Sequence, residues 1–361
     1  MGKKRIVVKI GSSSLTNDGG EIDQKKLEDH VSAIATLRNE GHEVLLVSSG
    51  AVAAGFRGLG YPTRPTTLKG KQAAAAVGQG LLMRNYYEQL NLFGILPAQV
   101  LLTRSDFSNR VRYQNAYSTL VELLDRGILP IINENDTVSV EELTFGDNDM
   151  LSALVSGLVH ADELIILTDI NGIYDCNPRT NPFAKRWDHL DDIKEEILIA
   201  AEGSGSKVGT GGMRSKILAA KTALTLGVPS FVGQGIGPLK LSTILAGNGD
   251  GTYIVSQQLY SINTKRQWIA FHSEVAGRIF IDPGAEDALL FNGKSLLSAG
   301  VYGVEGNFQK GDVVEVFGSG SMLGKGEVSC SSEEIKVSIA NRGIDRKKFG
   351  EIIHRDKWVK I

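Results

Sequence analysis

The chain has 361 residues, of which 42% are hydrophobic and 22% are charged, as is typical of a globular protein that buries a sizeable core. Its length exceeds that of one typical domain and indicates two. The formal net charge of −2 provides no broad basic field for nucleic acid. With only Cys176 and Cys330, far apart in sequence, and six histidines without ligand spacing, neither a disulfide framework nor a cysteine metal site is supported.

The N-terminal residues predict a cytoplasmic protein. Met1 to Lys4 run directly into a hydrophobic strand, without the apolar h-region of a signal peptide. No apolar run reaches the ~20 residues that a membrane-spanning helix needs, so no membrane partner is expected.

Hydrophobic strands alternate with helical stretches along the first two thirds of the chain. Helices are predicted near residues 25–39, 73–90, 109–126, 149–159, 194–201 and 213–226. Strands are predicted at residues 5–10, 44–47, 98–102, 128–132, 164–167, 230–232 and 253–255. This alternation predicts an α/β fold with an open, mainly parallel sheet and helices on both faces.

The pattern changes near Ser256. Short alternating strands punctuated by glycine are then predicted at residues 277–282, 311–317, 326–328 and 335–339. A small, mostly β, barrel-like second domain is the expectation. The predicted division is a first domain at residues 1–257, a linker at 258–269 and a second domain at 270–361.

The first strand carries the first chemical signal. Lys9 lies near its C-terminal end, where a buried parallel strand favours an apolar side chain. The turn Gly11-Ser12-Ser13-Ser14 follows, and its small residues allow N–H groups and hydroxyls to converge on an anion. On these residues alone, a lysine that extends out of the strand end next to a tight turn explains the pattern equally well.

Three other predicted strands also end in small or polar loops. In open α/β sheets ligands bind beyond the carboxyl ends of the strands, so these loops are expected to gather at one site. A group of carboxylates at 145–149 precedes a helix, where simple capping accounts for one acid more easily than for all of them. The strand-end loops are residues 11–14, 48–50, 133–136 and 168–169.

A glycine-rich loop at residues 203–216 leads into a predicted helix beginning near Met213. Such a loop can hold phosphate, because its N–H groups and the helix dipole both favour an anion. A flexible surface loop would explain the glycines and serines but explains the embedded lysines poorly. The stretch from Phe291 to Ser295 imitates the end of a Walker A loop, but Ala288 stands where its first glycine belongs.

Two lysines on separate loops, a phosphate-binding loop and several carboxylates together indicate phosphoryl transfer from a nucleotide. None of these loops contains a histidine to act as a general base. A carboxylate acceptor would need none, since it is already ionised near neutral pH. The loops therefore favour synthesis of an acyl phosphate.

Taken in order, these motifs resemble those of the glutamate 5-kinase family, and the segments around Asp282-Pro-Gly-Ala285 and Lys310-Gly-Asp312 resemble a PUA domain. The resemblance covers nearly the whole chain. One departure is Ser215, where the family usually has threonine; a hydroxyl is kept. The motifs are 7–14, 47–55, 132–136, 145–149, 167–169 and 209–213.

The resemblance implies an amino acid kinase fold and the reaction of ATP with L-glutamate to give ADP and L-glutamyl 5-phosphate, the first step of proline biosynthesis. By motif, it implies that Lys9 and Lys216 neutralise charge on the transferring phosphoryl group and that Asp149 holds the lysines. It assigns glutamate binding to Ser49, Asp136 and Asn148. It assigns ATP binding to Lys9, Gly11, Thr168, Asp169, Thr210, Gly211, Gly212, Met213, Arg214, Ser215 and Lys216.

The resemblance also implies Mg²⁺ accompanying the nucleotide, feedback inhibition by proline, a homo-oligomer (dimer or tetramer), and transfer of the labile product to glutamate-5-semialdehyde dehydrogenase. Two alternatives stay open. One is another enzyme of the amino acid kinase fold, with acetylglutamate, aspartate, carbamate or a nucleoside monophosphate as acceptor. The other is an RNA-binding PUA protein, although the net charge of about +1 from Ser261 onward is no footprint for RNA. The basic C-terminal residues are expected to be a solvated, charged terminus.

Overall fold

The computed structural model describes residues 2–17, 19–138, 148–201, 212–256, 264–340 and 350–360. The chain forms two compact units. The first comprises residues 1–104 and 114–261, and the second comprises residues 105–113 and 262–361. The predicted domain limits at 257 and 270 stay a prediction.

The first unit contains an eight-stranded sheet in the order β3-β4-β2-β1-β5-β9-β10-β8. Its pairings are all parallel except that of β10 with β9, so β10 and β8 run opposite to the other six strands. The predicted open, mainly parallel sheet is confirmed. A separate pair is formed by β6 (Ile173–Tyr174) and β7 (Arg186–Trp187). The sheet strands are β1 (Arg5–Ile10), β2 (Glu43–Ser48), β3 (Pro97–Leu102), β4 (Leu129–Glu134), β5 (Glu163–Leu167), β8 (His189–Leu190), β9 (Ser230–Gln234) and β10 (Asp250–Ile254).

The helices of this part of the chain agree with the predicted ones to within a few residues, except that α3 begins five residues earlier than expected. Three short helices, α2, α4 and α9, were not predicted. The helices are α1 (Gln24–Asn39), α2 (Ala51–Gly55), α3 (Leu68–Asn91), α4 (Arg104–Ser108), α5 (Arg110–Asp125), α6 (Asn148–Leu158), α7 (Glu195–Ala200), α8 (Met213–Thr225) and α9 (Lys240–Leu245).

The central strand β1 is buried on both faces, since Ile6, Val7, Val8 and Ile10 are all fully inaccessible. Helix α1 packs against the same core and begins at Asp23, whose carboxylate accepts hydrogen bonds from the first backbone N–H groups of the helix. An N-terminal cap of this kind satisfies donors that have no partner within the helix.

The carboxyl ends of four strands meet at one edge of the sheet. Ile10 at the end of β1 pairs with Ser48 of β2 on one side and with Leu167 of β5 on the other, and Val47 pairs with Ile132 of β4. Because parallel strands end in register, the loops that follow them are neighbours, as the sequence predicts.

Helix α2 lies directly against helix α3, backbone to backbone. A Cβ added at Gly78 would lie 1.8 Å from the carbonyl oxygen of Ala51, and one at Gly55 would lie 2.0 Å from that of Ala74. Only glycine allows this approach. The contact fixes the start of α2 at Gly50, which has a positive φ of 112° and follows the turn of residues 48–49.

The second unit contains a six-stranded sheet in the order β12-β16-β15-β14-β11-β13, with its own apolar core. All its pairings are antiparallel except that of β11 with β14. Three of the predicted strands are confirmed within it. Its elements are α10 (Thr264–Gln267), β11 (Val275–Ile281), α11 (Pro283–Leu290), β12 (Leu296–Leu297), β13 (Val301–Gly306), β14 (Val313–Phe317), β15 (Met322–Val328), α12 (Ser332–Ala340) and β16 (Glu351–Lys360).

One prediction about this unit was wrong. The strand expected at 335–339 is part of helix α12, because Ser331 and Glu334 cap the helix start reciprocally, each side chain bonding the other's backbone N–H. Apolar residues spaced by two and by four fit both the period of a strand and that of a helix. The cap favours the helix here. The C-terminal segment includes strand β16, which buries Ile353 and Trp358, while the basic side chains of Arg355 and Lys360 are exposed, as expected.

Candidate active site

A buried carboxylate lies between two buried lysines at the carboxyl edge of the large sheet. Asp149, in the first turn of α6, forms ion pairs with Lys9 at the end of β1 and with Lys216 in the first turn of α8. The Lys216 Nζ lies 3.0 Å from the Asp149 Oδ2. Asp149 is fully buried, Lys9 is 1% exposed and Lys216 is 7% exposed. Two ammonium groups and one carboxylate are thus held together in a water-poor site, where charges act strongly on one another.

Ser215 joins this cluster. Its hydroxyl oxygen lies 3.0 Å from the Asp149 Oδ2 and 2.8 Å from the carbonyl oxygen of Gly212, just before α8. The hydroxyl that serine shares with the family's usual threonine therefore lies beside the buried carboxylate. Asp149 thus contacts two neighbouring residues of α8 and fixes the start of that helix relative to α6.

Gly11 lies directly against the Lys9 amine. A Cβ added at Gly11 would lie 3.3 Å from the Lys9 Nζ, so a side chain there would press on the ammonium group. The small residue after β1 therefore keeps the space next to the lysine accessible to another group.

Asn148 connects three loops of the sheet edge. Its Nδ2 lies 3.0 Å from the backbone oxygen of Ser48, 3.1 Å from the Ser49 Oγ and 2.7 Å from the Asn133 Oδ1. The buried Oδ1 of Asn148 has no hydrogen-bond donor among the described residues. The structure thus brings together Ser49 and Asn148, two of the residues assigned to glutamate, and leaves an acceptor oxygen beside them.

Helix α3 supports these loops through two side chains that the sequence analysis missed. Gln79 accepts a hydrogen bond of 2.8 Å from the Asn133 Nδ2, and the Tyr86 hydroxyl lies 2.8 Å from the Ser48 Oγ. Burial raises the pKa of Tyr86, so the phenol stays protonated. The two residues are seven apart and so share a helix face, which is a signal that sequence could have supplied.

Asp136, the third residue assigned to glutamate, follows β4 at the same edge of the sheet. Burial raises the pKa of its carboxyl group to about 6. This carboxyl group is therefore easier to protonate than an ordinary surface aspartate.

Thr168 and Asp169 follow β5. The Thr168 hydroxyl donates a 3.2 Å hydrogen bond to the Asp169 Oδ1, and Arg179 forms an ion pair with the other carboxylate oxygen. Partial burial would raise the pKa of Asp169, but hydrogen bonds and the Arg179 charge outweigh it and lower the pKa overall. Arg179, which holds this carboxylate ionised, was not predicted from sequence.

The remaining residues assigned to ATP divide into two groups. Gly212, Met213 and Arg214 lie at the start of α8, where Gly212 is the N-terminal cap position and Met213 is buried. Thr210 and Gly211 lie outside the described residues, as do 145–147 of the carboxylate group.

No group of three or more His, Cys, Asp or Glu side chains in the described part of the chain could hold a metal ion. The Asp149 carboxylate, the most buried at the site, is already bound by two lysines. These residues do not fit a protein-held magnesium site. They fit an ion that arrives coordinated by nucleotide phosphates, as Mg²⁺ commonly does.

Comparisons with known proteins identify the family. A sequence model of the amino acid kinase family matches residues 4–234, and one of the PUA domain matches residues 277–347. The carbamate kinase of Giardia lamblia bound to AMP-PNP has a similar fold, with a TM-score of 0.50 and 16% identity over 71% of this chain and 99% of that one. The fold and the site therefore define an amino acid kinase with a C-terminal PUA domain.

Close relatives specify the class further. Glutamate 5-kinase 1 of Bacillus subtilis (strain 168) is 61% identical over 363 residues, covering 100% of both chains. Glutamate 5-kinase of Oceanobacillus iheyensis is 58% identical over 366 residues, covering 100% of this chain and 98% of the relative. The chain belongs to the glutamate 5-kinase family of phosphotransferases. Among the helices that the structure describes, none has the length and apolar composition that crossing a membrane requires.

Proposed function

We propose that the protein transfers the γ-phosphoryl group of ATP to the side-chain carboxylate of L-glutamate. A glutamate carboxylate oxygen forms the new bond to the γ-phosphorus, the bond to the β–γ bridging oxygen breaks, and ADP leaves with that oxygen. The products are ADP and L-glutamyl 5-phosphate. The observation that carries this proposal is the buried Lys9–Asp149–Lys216 cluster, and the glutamate 5-kinases at about 60% identity support the acceptor.

The two buried ammonium groups of the cluster suit this reaction. The transferred phosphoryl group carries negative charge on three oxygens, and catalysis consists mostly of positioning and of stabilising that charge. Lys9 and Lys216 approach from different elements, and Asp149 holds both amines in place before substrate arrives. Preorganised charges in a water-poor site stabilise a transition state strongly, since they need no reorganisation during the reaction.

The acceptor needs no general base from the protein. The side-chain carboxyl group of glutamate has a pKa near 4.3 and is ionised at neutral pH. We assign its binding to Ser49, Asn148 and Asp136. The unpartnered Asn148 Oδ1 and the Asp136 carboxylate suit the α-ammonium group of an amino acid, and the Ser49 hydroxyl suits a carboxylate.

We assign the nucleotide to the opposite side of the lysines. Gly11, Thr168, Asp169 and the segment from Thr210 to Lys216 are the proposed contacts, and the N-terminus of α8 favours a phosphate. Mg²⁺ is proposed to enter with ATP, bound to its phosphates, where it neutralises phosphate charge.

The proposal includes the physiological context that the family implies. The reaction is the first step of proline biosynthesis, proline inhibits it by feedback, and glutamate-5-semialdehyde dehydrogenase receives the labile product. A homo-oligomer and a cytoplasmic location stay predictions.

The test is ADP release from Mg-ATP with L-glutamate, N-acetyl-L-glutamate, L-aspartate or carbamate, with hydroxylamine present to trap an acyl phosphate. Turnover that depends on L-glutamate and yields the hydroxamate is expected, and added proline should suppress it. Activity only with another acceptor would overturn the assignment of L-glutamate as the substrate but leave phosphoryl transfer to an acceptor as the reaction. Turnover that is insensitive to proline would overturn only the proposed feedback inhibition.

A further inference from the structure

Every backbone carbonyl from Gly11 to Thr16 accepts a hydrogen bond. The turn itself satisfies two of them, since Ser14 N–H donates to Gly11 and Leu15 N–H donates to Ser12. Asp23 N–H donates to the Leu15 carbonyl. The remaining three carbonyls, those of residues 13, 14 and 16, are bound by side chains of helix α1.

Two residues of α1, one turn apart, provide these contacts. The Lys26 Nζ lies 2.6 Å from the carbonyl oxygen of Thr16 and 3.3 Å from that of Ser13. The His30 Nε2 lies 3.0 Å from the carbonyl oxygen of Ser14. Because residues four apart lie on the same face of a helix, one face of α1 binds the turn three times.

His30 acts as a neutral donor in this contact. Burial and the nearby Lys240 lower its pKa to about 4, with Lys26 acting in the same direction and the Ser14 carbonyl and Asp29 opposing. The ring is uncharged at neutral pH, and since a carbonyl can only accept, Nε2 carries the proton. The contact therefore stays the same across the physiological pH range.

Helix α1 is itself held in place next to His30. The Asp29 carboxylate accepts a 2.7 Å hydrogen bond from the backbone N–H of Gly237 and forms an ion pair with Lys240, which is 4% exposed. An ion pair with a buried lysine, together with a backbone hydrogen bond, restricts how far the helix can shift. The helix face that carries Lys26 and His30 is thus held in place next to the turn.

This turn begins beside the Lys9 amine, since a Cβ added at Gly11 would lie 3.3 Å from the Nζ. Carbonyl oxygens aimed at a phosphate would repel it. With all of them bound elsewhere, the N–H groups that the turn does not use itself, together with the serine hydroxyls, can face an anion next to Lys9.

We propose that Lys26 and His30 are positioning residues for the nucleotide. They hold the carbonyls of residues 13, 14 and 16 against helix α1 and so shape the opposite side of the turn for the phosphates of ATP. The inference rests on the proposed function in taking this turn as part of the ATP site. Neither side chain touches the nucleotide in this arrangement.

The chain offers a matched control at the adjacent position. Lys25 is exposed, and its side chain forms no hydrogen bond or ion pair with the residues that the structure describes; only its backbone N–H is bound, by Asp23. Lys25→Met and Lys26→Met remove the same charge from the same turn of α1. A difference between them reports on the carbonyl contacts and not on net charge.

The experiment is calorimetric binding of a non-hydrolysable Mg-ATP analogue without glutamate, followed by steady-state kinetics, well below each variant's unfolding temperature. Lys26→Met is expected to weaken nucleotide binding about tenfold, as loss of charged hydrogen bonds does, and Lys25→Met less than twofold. The KM for Mg-ATP should rise in parallel, with the KM for glutamate unchanged. His30→Leu should weaken nucleotide binding too, and His30→Gln, whose amide can donate to Ser14, should recover most of the affinity.

Equal nucleotide affinity in Lys25→Met and Lys26→Met would overturn the inference, even if His30→Leu fails to fold. A wild-type protein that binds the Mg-ATP analogue but does not phosphorylate glutamate would overturn the proposed substrate alone, and the lysine comparison would still decide this inference. A wild-type protein that does not bind the analogue would overturn both.

Discussion

Each of the two units buries a carboxylate between two cations, and the clusters differ in what surrounds the cations. In the first unit Asp149 is fully buried, and the side chains of its partners Lys9 and Lys216 are 2% and 9% exposed. All three lie where parallel strands end in loops of small residues. Neither ammonium group can be screened by bulk water, so their joint charge acts on whatever enters the adjacent space.

In the second unit Glu327, on β15, is equally buried but its partners face solvent. Arg110, from residues 105–113, lies 2.7 Å from Oε2 with 47% of its side chain exposed, and Lys357 pairs with Oε1 with 28% exposed. Water and salt screen these two cations from the far side. A buried carboxylate with two cations is therefore no sign of a catalytic site by itself; the burial of the cations distinguishes the two clusters.

The largest expected effect separates the lysines of the two clusters. Lys9→Ala and Lys216→Ala should each lower kcat by on the order of 10² or more, since each removes a preorganised charge from the transferring phosphoryl group. Lys357→Ala should leave kcat within about twofold. The measurement is glutamate-dependent ADP release, and near-normal turnover in both Lys9→Ala and Lys216→Ala would contradict the assigned roles.

The second prediction concerns the carboxylates. Asp149→Asn leaves two buried cations without their counter-charge and should cost about 3–5 kcal/mol of stability. Glu327→Gln should cost less, because water screens its two partly exposed partners. Only Asp149→Asn should also lower kcat, by on the order of tenfold or more, because it frees both lysines to which we assign the catalytic role. Thermal unfolding and turnover at low temperature separate the two effects. If folded Glu327→Gln loses as much turnover as Asp149→Asn, the distinction between the clusters fails.

The sequence predicted the sheet and the edge where the site lies because both follow from local signals. Strand β1 is a run of buried Ile and Val, and the lysine at its end is conspicuous against that pattern. The proximity of Lys9 to Lys216, 207 positions later, could be expected only through topology, since strand ends of a parallel sheet meet at one edge. Their shared ion pairing with Asp149 was implied by family resemblance and not by periodicity.

The sequence missed what depends on long-range contacts. Gln79 and Tyr86 lie on a helix whose glycine and alanine content conceals its buried face, and their partners Asn133 and Ser48 are 54 and 38 positions away. Residues 335–339 were assigned the wrong period because a short apolar pattern fits both strand and helix, and the decisive cap lies outside it. Arg179, 10 positions after Asp169, belongs to a connecting segment without periodicity.

The third prediction distinguishes neighbouring serines of the first unit. Ser49→Ala removes a hydroxyl next to Asn148 and should raise the KM for glutamate about tenfold, with the KM for Mg-ATP unchanged. Ser48→Ala removes the hydrogen bond to the buried Tyr86 and should instead lower stability by about 1–2 kcal/mol. Steady-state kinetics with each substrate varied, beside thermal unfolding, checks both. If Ser48→Ala raises the KM for glutamate and Ser49→Ala only lowers stability, Ser49 does not bind glutamate.

The last and smallest expected effect concerns Asp136, a carboxyl group whose pKa burial raises to about 6. Above that pH the group is ionised and can pair with the α-ammonium group of glutamate; below it the group is protonated and the pairing is lost. kcat/KM for glutamate should therefore fall as pH decreases through about 6, approaching about tenfold per pH unit, while glutamate's own side chain stays ionised down to about pH 4.3.

The matched control is Asp136→Asn, which has no charge to lose and should have a low kcat/KM for glutamate that changes little between pH 5 and 7. kcat/KM for Mg-ATP should lack the inflection in both proteins, since Asp136 is assigned to glutamate and is not part of the Lys9–Asp149–Lys216 cluster. A wild-type glutamate profile that is flat across this range, or an inflection kept in Asp136→Asn, would show that another group binds the ammonium. Asp136 would then have no part in binding the ammonium group, in contrast to Asp149 and Glu327, whose carboxylates each pair with two cations.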